Sequence, residues 1–535
     1  MRRGFVGFAV MAAVAAGALT VGAQTWPDRW VYMPCNFWGN GEAPHSLGFF
    51  TNVAARAKAS GYNALVLAAH LDLSFKWPQH LTNQLMKAKA FCDAIGMEII
   101  PMTWDVGYGG DCGGNWFESR TIEDLPYVRR GRKAVFEPEP VKVEGGPCDR
   151  MAFSGSDGGS MPMRPSRKFT LKKGVRYVIT VRVRSTDVPE KDKFQFIGFV
   201  PSIKGKSAYY SCPKLAHDGE WHDLVFPVEG RTDEEVTLVF GHWGTEGRVE
   251  MEDFRVLPRG IVGVTRRERI PFVVKDAETG REYAEGRDYA EVPPIAIRHE
   301  GDPLGPYLEL DIPSGSRIAE GRRLLVTADI PNLFRSGGSD QYAACMSNRD
   351  WYRRAMAGAK AVQELLKPKK WFLCFDELRS ANTCAACRSR KLDMAHLIGD
   401  CLRRQREIVR KVNPDAVCYV WGDMLDPNHN ANEGYAHTVG SYEGIAKCIP
   451  QDLVICPWWG EKALVQADYW SANGFRMVAG AYYDDKSHKH DRLWLEAAKK
   501  HPGNFTGFMF CTWRNDFSEL ENFGGFVHKC GCVGG

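Results

Sequence analysis

The sequence predicts an α/β protein: a (β/α)8 TIM barrel interrupted after its third strand by an inserted all-β, jelly-roll-like domain. Strand-like apolar runs alternate with helix-like stretches, and eight such strands can be counted along the chain. Eight parallel strands with intervening helices close into a barrel. A long segment with period-two alternation separates the third strand from the fourth, and a break of that length indicates inserted domains rather than a loop.

The first residues have the composition of a secretory signal. Arg2 and Arg3 precede an almost wholly apolar stretch, and residues 21–23 offer a small-residue cleavage site before Gln24. We assign residues 1–23 to a signal peptide and expect a secreted or periplasmic bacterial protein. The alternative is an uncleaved anchor, because the apolar stretch is nearly long enough to span a bilayer.

The first part of the barrel is predicted over residues 24–129. Its strands fall at residues 30–37, 63–69 and 97–103, and its helices at residues 46–60 and 80–95. Each helix-like stretch is followed by a glycine, Gly61 or Gly96, which is the residue that most often closes a helix. Three βα units in a row favour a parallel sheet.

Residues 130–258 alternate with period two and are broken by Gly, Pro and Asp turns, which is typical of a β-sandwich. The stretches 241–244 and 249–254 resemble the last strands of a jelly-roll carbohydrate-binding module, and a plain spacer domain is the alternative. Residues 259–339 stay β-rich and are predicted to form a small extension that returns the chain to the barrel.

The second part of the barrel is predicted over residues 340–535. Its helices fall at residues 347–366, 391–412, 461–473 and 490–501, and its strands at residues 371–377, 416–421, 453–457, 475–483 and 505–512. The run from Trp371 to Glu377 is apolar until its last two residues, as expected of a strand buried on both faces. Its two terminal carboxylates are the centre of the predicted site.

Charge is evenly mixed, with 69 basic and 65 acidic residues and a net charge of +4. This balance gives no case for nucleic acid or an anionic membrane surface as a partner. The 16 tryptophans suit a protein that stacks aromatic rings on the flat faces of sugars. The expected partner is therefore a glycan substrate, with no membrane contact beyond the signal peptide.

The 16 cysteines are of two kinds. Those in apolar strand-like runs, where cysteine behaves as a small hydrophobe, are Cys374, Cys418, Cys456 and Cys511. The pairs Cys384-x-x-Cys387 and Cys530-x-Cys532 are candidates for a disulfide or free thiols, with a structural zinc site as the alternative. No cofactor and no catalytic metal are predicted.

Carboxylates and aromatic residues follow most of the predicted strands, which is where barrel enzymes keep their active sites. Asp376 and Glu377 end the fourth strand and are the catalytic candidates. The candidates for substrate binding are Trp104, Asp105, Trp421, Asp423, Trp458, Tyr482, Tyr483, Asp484, Asp485 and Trp513. No phosphate-binding glycine loop and no nucleophile elbow are present in the sequence. Aromatic platforms beside acids suit glycoside cleavage, because a carboxylic acid must protonate the leaving oxygen.

The Asp-Glu pair of strand four, the Tyr and Asp of strand seven and the Trp of strand eight resemble the family 20 glycoside hydrolases, the β-N-acetylhexosaminidases. The resemblance implies that Glu377 is the general acid and base, and that Asp376 orients the substrate's 2-acetamido group, which acts as the nucleophile. It also implies that Tyr483 or Tyr482 binds the acetamido oxygen. The strand-seven Asp, Asp485 or Asp484, would bind sugar hydroxyls, and the walls of the subsite would be Trp421, Trp458 and Trp513.

The family's His-x-Gly-Gly-Asp-Glu motif is incomplete here, because residues 372–377 lack the His and the glycines. The family's strand-one Arg has no counterpart in residues 32–36, and Asn515 stands where an acid is usual. Two alternatives therefore stay open. One is a non-catalytic carbohydrate-binding protein, in which Glu377 only forms an ion pair with Arg379. The other is a retaining glycosidase whose nucleophile is a carboxylate facing Glu377, contributed by Asp423, Asp484 or Asp485.

Overall fold

The structure is a computed structural model. It describes residues 26–41, 43–68, 77–103, 106–107, 116–144, 151–155, 166–186, 197–201, 218–230, 232–242, 247–295, 307–332, 334–336, 339–341 and 343–530. The predicted signal peptide, Trp104, Asp105 and Cys532 lie outside the described residues. Among the described residues, no helix is both long and apolar enough to cross a membrane.

The predicted eight-stranded parallel barrel is confirmed. Its strands are Asp28–Pro34, Ala64–Ala68, Glu98–Thr103, Lys370–Leu373, Val417–Trp421, Val454–Cys456, Arg476–Tyr483 and Phe505–Cys511. They pair in this order, and the last pairs with the first, so that the barrel closes. Closure leaves no free sheet edge, and it brings the carboxyl ends of all eight strands to one mouth.

Helices cover the outside of the barrel. Their bounds are Leu47–Ala59, Gln79–Ile95, Arg349–Leu366, Met394–Val412, Ala463–Ala472, Lys489–Lys500 and Leu520–Cys530. Several begin at a side-chain cap: the carboxylate of Asp393 accepts the N–H of His396, and Ser46 accepts that of Phe49. Shorter helical turns are Ala385–Arg388, Asp423–Leu425, Ile445–Cys448 and Gly460–Lys462.

The barrel strands bury both faces, and this explains their continuous apolar sequence. Phe372 and Cys374 point into the barrel interior, whereas Trp371 and Leu373 pack outward against the helices. The four strand cysteines predicted to be core residues are all buried.

Three antiparallel sheets follow the third barrel strand and precede the fourth. The first, a four-stranded sheet, holds strands Trp221–Glu229, Arg176–Thr186, Gly247–Arg259 and Met151–Gly155. The second, a three-stranded sheet, holds strands Ser166–Leu171, Glu234–His242 and Ile197–Pro201. The third, a six-stranded sheet, holds Glu282–Tyr283, Phe272–Asp276, Arg323–Pro331, Ser119–Arg130, Lys133–Phe136 and Leu310–Asp311. A second apolar core, separate from that of the barrel, lies within them. Two small pairs complete the list: Phe334–Ser336 with Ser339–Gln341, and Ser380–Ala381 with His437–Thr438.

Two sequence-based boundaries differ from the structure. Strand Ser119–Arg130, predicted to lie in the first barrel part, instead pairs with Arg323–Pro331 in the six-stranded sheet. The fourth barrel strand, predicted to run to residue 377, ends at Leu373. It stops there because Phe375 and Glu377 have φ values of 132° and 40°, which no strand accommodates.

Candidate active site

Asp376 and Glu377 lie in a tight turn at the barrel mouth, directly after the fourth strand. The Glu377 N–H donates to Oδ2 of Asp423 over 2.9 Å. On the other side, the backbone of Gly107 approaches so closely that a Cβ there would lie 1.8 Å from the carbonyl oxygen of Asp376. Left-handed backbone at a non-glycine residue costs about 1–3 kcal/mol and persists only where the surroundings hold it. The turn is therefore a fixed feature, held from both sides.

Asp423 supports the turn from beneath. Its side chain is fully buried, and Oδ2 also accepts the amide N–H of Asn430 over 3.0 Å. Burial, together with the nearby Glu377, raises the pKa of Asp423 to about 7, although the hydrogen bonds oppose the shift. In this structure Asp423 therefore fixes the Glu377 turn, and its predicted contact with sugar stays a prediction.

Glu377 forms an ion pair with Arg379. Both side chains are largely buried, with exposed fractions of 24% for Glu377 and 17% for Arg379. The ion pair of the non-catalytic alternative is therefore present in the structure. A rotation of either side chain is enough to separate them, with the backbone of the turn unchanged.

Two tyrosines interact electrostatically with the carboxylates of Asp376 and Glu377. Burial, and next the charge of Asp376, raise the pKa of Tyr483 far above its ordinary value. Burial, and next the charge of Glu377, do the same for Tyr435. Both phenols therefore stay neutral and can donate a hydrogen bond at the mouth. Tyr483 was predicted as a binding residue, and Tyr435 was not.

An aromatic wall forms the opposite side of the mouth. The rings of Trp458 and Tyr483 stack with centroids 5.2 Å apart and planes 5° from parallel. Trp513, with 36% of its surface exposed, lies 5.9 Å from Tyr483 and 5.0 Å from Tyr32. Trp421 forms the floor of the mouth. It is buried, and its ring centroid lies 6.3 Å from that of Trp513. The structure thus brings the three predicted tryptophans together with Tyr483.

Three other predicted binding residues have local structural roles. Tyr482 points outward: it is fully buried and stacks on Phe510 at 4.3 Å, since its neighbour Tyr483 occupies the inward position. Asp484 accepts the hydroxyl of Thr512 and the N–H of Trp513, and so fixes the end of strand eight.

The carboxylate of Asp485 accepts the N–H groups of Ser487 and Lys489 at the start of helix Lys489–Lys500. Hydrogen bonding to Ser487 is the main cause that lowers its pKa. In this structure its carboxylate holds that backbone, and sugar binding by Asp485 stays a prediction. The three carboxylates named as nucleophile candidates, Asp423, Asp484 and Asp485, each accept a hydrogen bond from a backbone N–H in this structure.

Sequence reasoning missed Tyr32, Tyr435 and Asn430. His429 lies under the wall, 4.4 Å from Trp458, and burial lowers its pKa to about 4, so its ring is neutral. Tyr435, His429 and Asn430 come from the loop after strand five, beyond the residues that directly follow a strand. The many Asn, His and Asp residues between positions 423 and 437 could have indicated that this loop contributes to the site.

No metal-binding arrangement includes the mouth carboxylates among the described residues. The group of side chains that could hold a metal ion consists of Glu118, Cys345, Cys384 and Cys387, all buried. It lies where the six-stranded sheet meets the loop after strand four, since Glu118 accepts the N–H groups of Thr383 and Cys384.

No protein-family model matches this sequence, and no curated protein matches it. Among solved structures, the chain is similar to the GH20 exo-β-N-acetylglucosaminidase of Vibrio harveyi, with a TM-score of 0.26 and 15% identity over 37% of this chain and 34% of that one. For the β-N-acetylhexosaminidase of Bacteroides fragilis NCTC 9343 the TM-score is 0.25, with 15% identity over 35% of this chain and 40% of that one.

The GH2 β-galacturonidase of Eisenbergiella tayi gives a TM-score of 0.20 and 9% identity, over 78% of this chain and 98% of that one. The chain spans 34% and 40% of the lengths of the two hexosaminidase structures named above. These structural neighbours are glycoside hydrolases, at a similarity too low to assign the chain to a family.

Proposed function

We propose that this protein is an exported glycoside hydrolase that removes N-acetylhexosamine, or a related sugar, from the ends of glycans by a substrate-assisted, retaining mechanism. One observation carries the proposal. A carboxylate pair on a turn held by Asp423 follows strand four, and an aromatic wall follows strands six to eight of the same closed barrel. Glycoside cleavage needs a proton donor for the leaving oxygen and a surface that binds the sugar ring, and this arrangement supplies both.

In the proposed reaction, Glu377 protonates the leaving oxygen and later activates the water that ends the cycle. Asp376 orients the acetamido group, and the neutral hydroxyl of Tyr483 binds its carbonyl oxygen. Trp458, Trp513 and the floor residue Trp421 enclose the ring. A proton donor cannot remain in an ion pair, so the proposal requires Glu377 to separate from Arg379 when the substrate binds.

The rest of the chain fits an extracellular role. We propose that residues 1–23 direct export and that the antiparallel sheets form inserted domains. The sandwich of residues 130–258 would be a jelly-roll module that binds glycan or acts as a spacer. Residues 259–339 would be a small β-rich extension that returns the chain to the barrel. Trp104 and Asp105, which follow strand three, are proposed to add to the sugar site.

The test is a panel of aryl glycosides that includes the N-acetylglucosaminide, the N-acetylgalactosaminide and the matching sugars with a 2-hydroxyl. The proposal expects turnover of an N-acetyl substrate, with Glu377→Gln slower by about 10²–10⁴-fold. The exposed Glu433→Gln serves as the matched control, because it makes the same chemical change in a nearby loop. Turnover by Glu377→Gln equal to that of wild type would remove Glu377 from the mechanism.

A second series tests the nucleophile. Replacing the hydrogens of the acetamido methyl group by fluorine weakens the carbonyl oxygen as a nucleophile. Substrate assistance therefore predicts that turnover falls with each fluorine. A rate independent of fluorine, or turnover only of 2-hydroxyl sugars, would transfer the nucleophile to a protein carboxylate.

The ion pair between Glu377 and Arg379 favours a second candidate, a non-catalytic carbohydrate-binding protein. In that case the barrel keeps its aromatic wall, and no glycoside in the panel is turned over. Sugar binding then weakens in Trp513→Ala and stays unchanged in Glu377→Gln. A binding titration with both variants distinguishes the two candidates.

A further inference from the structure

Four buried side chains converge where the six-stranded sheet meets the loop after barrel strand four. Glu118, Cys345, Cys384 and Cys387 offer three thiol sulfurs and a carboxylate oxygen that all lie within 4.8 Å of one another. None is more than 1% exposed. We call this group the junction cluster. The glycosidase chemistry proposed above uses none of its members.

Three distances within the junction cluster match those of a tetrahedral metal site. Sγ of Cys345 lies 3.6 Å from Sγ of Cys384 and 3.7 Å from Sγ of Cys387. Sγ of Cys387 lies 3.5 Å from Oε2 of Glu118. Around tetrahedral zinc, with Zn–S of about 2.3 Å and Zn–O of about 2.0 Å, two sulfurs are about 3.8 Å apart and a sulfur and an oxygen about 3.5 Å.

Hydrogen bonds aim these groups at a common centre. Oε1 of Glu118 accepts the N–H groups of Thr383 and Cys384 over 2.7 and 2.8 Å, which turns Oε2 toward the thiols. The N–H of Cys387 donates to Sγ of Cys384 over 3.2 Å. Metal ligands in proteins are regularly oriented by outer hydrogen bonds of this kind.

The charges and the donor types select the ion. Three thiolates and a carboxylate around a divalent cation leave a net charge of −2, and the guanidinium of Arg267 interacts electrostatically with Cys345, Cys384 and Glu118. Thiolates prefer zinc over the hard cations calcium and magnesium. Four protein ligands fill a tetrahedral shell and leave no position for a substrate, as in structural rather than catalytic sites.

We propose that the junction cluster binds one Zn²⁺ as a structural ion. The ion would join three parts of the chain that are far apart in sequence. Glu118 precedes the first strand of the six-stranded sheet, Cys345 follows the last antiparallel strand, and Cys384 and Cys387 follow the Asp376-Glu377 turn. Zinc at this position would fix the antiparallel sheets to the loop that carries the candidate acid. This proposal is independent of the glycosidase proposal.

The competing outcome is a disulfide between two of the three thiols, which an exported protein can form. A disulfide would consume two ligands and exclude the tetrahedral site. The two outcomes differ in metal content and in which cysteines react with an alkylating agent after unfolding. Both can be measured on the full chain without any assay of activity.

The experiment measures zinc by elemental analysis in protein purified without chelator or metal-affinity resin. About one zinc per chain is expected in wild type and in Cys92→Ser, which places the same substitution at a buried cysteine outside the cluster. Cys345→Ser is expected to lose the zinc. Glu118→Gln, whose amide oxygen can keep the hydrogen bonds from Thr383 and Cys384, is expected to release zinc to a chelator faster than wild type.

Cobalt substitution gives a test that needs no variant. Wild type reconstituted with Co²⁺ should show sulfur-to-cobalt charge transfer and the intense visible bands of tetrahedral cobalt. Chelation of the native protein should lower its unfolding temperature. Zinc-free wild type with three alkylatable thiols in the cluster would overturn the proposal. A peptide in which Cys345 is disulfide-linked to Cys384 or Cys387 would also overturn it.

Discussion

The two sides of the barrel mouth are built by different physical means. On the carboxylate side, the buried Asp423 and the close backbone of Gly107 hold the strained Asp376-Glu377 turn. On the aromatic side, Trp458, Tyr483 and Trp513 are partly exposed and are held by ring contacts. Hydrogen bonds to a buried group fix atoms to within tenths of an ångström, whereas stacked rings adjust to what they contact.

The difference separates two tasks that a glycosidase site must perform. A proton donor and an acetamido-orienting group need fixed geometry, because misplacement by 1 Å costs about 10²-fold in rate. A sugar platform needs area and tolerance more than exact position. We therefore expect variants on the carboxylate side to change kcat or the response to pH, and variants of the wall tryptophans to change KM.

The largest effect in this comparison is expected at Tyr483, the residue that belongs to both sides. Tyr483→Phe keeps the ring that stacks on Trp458 and removes the hydroxyl beside Asp376. Loss of a preorganised donor to a developing charge costs about 10²–10³-fold in kcat. Steady-state kinetics on the N-acetyl substrate measures this effect. An increase in KM with kcat unchanged would assign Tyr483 to the wall alone.

The next effect concerns Asp423 and pH. Its pKa is raised to about 7 in the folded protein from an ordinary value of 3.8. Between these two pKa values the folded state keeps a proton that the unfolded state releases. The contribution of Asp423 to the free energy of unfolding therefore falls as pH rises from about 4 to about 7. Below and above that range, the contribution does not change with pH. Asp423→Asn cannot titrate. The free energy of unfolding of wild type minus that of the variant should fall by a few kcal/mol across the window.

Subtraction is essential, because burial also raises the pKa values of Asp426 and Asp491 to about 6. Both groups titrate equally in wild type and Asp423→Asn, and so cancel in the difference. Urea unfolding at pH 4, 5, 6 and 7 supplies the values. A difference that stays constant or rises with pH would contradict the buried, protonated state of Asp423.

A smaller effect is expected at Trp513, the most exposed of the wall rings. Trp513→Ala removes a stacking surface without touching the carboxylate turn, so KM should rise about 10-fold, equivalent to about 1.4 kcal/mol, while kcat changes little. Trp38→Ala is the control, because Trp38 is 72% exposed. A fall in kcat that matches the rise in KM would mean that the wall also positions the reacting atoms.

The sequence predicted the fold well where apolar runs recur along the chain. Eight apolar runs predicted the eight barrel strands, because a parallel barrel buries both faces of each strand and leaves a continuous apolar signature. The same rule failed at Ser119–Arg130, an antiparallel strand in which buried and exposed residues are mixed without a continuous apolar run. The glycine-rich stretch before this strand is typical of a barrel loop, and it led to the prediction that the strand belongs to the barrel.

The site was predictable only as far as strand ends reach. Asp376 and Glu377 could be predicted because they terminate an apolar run, but the support from Asp423 and Asn430 depends on a long loop whose path no local pattern fixes. For adjacent residues such as Tyr482 and Tyr483, composition cannot decide which one faces inward. A register shift between strands seven and eight falls at residues 480–482, and such irregularities break strict alternation.

That neighbouring pair supplies the smallest expected effect and the strictest test of the comparison. Tyr482→Phe makes the same chemical change as Tyr483→Phe, one residue earlier and on the opposite face of the strand. The Tyr482 hydroxyl is buried and has no hydrogen-bond partner among the described residues. Its removal should leave kcat and KM within about 2-fold and leave stability unchanged or raise it by about 1 kcal/mol, since an unsatisfied buried polar group is lost. A loss of kcat in Tyr482→Phe as large as in Tyr483→Phe would show that Tyr482, and not Tyr483, faces the barrel mouth. Thermal unfolding of both variants distinguishes that outcome from a packing defect.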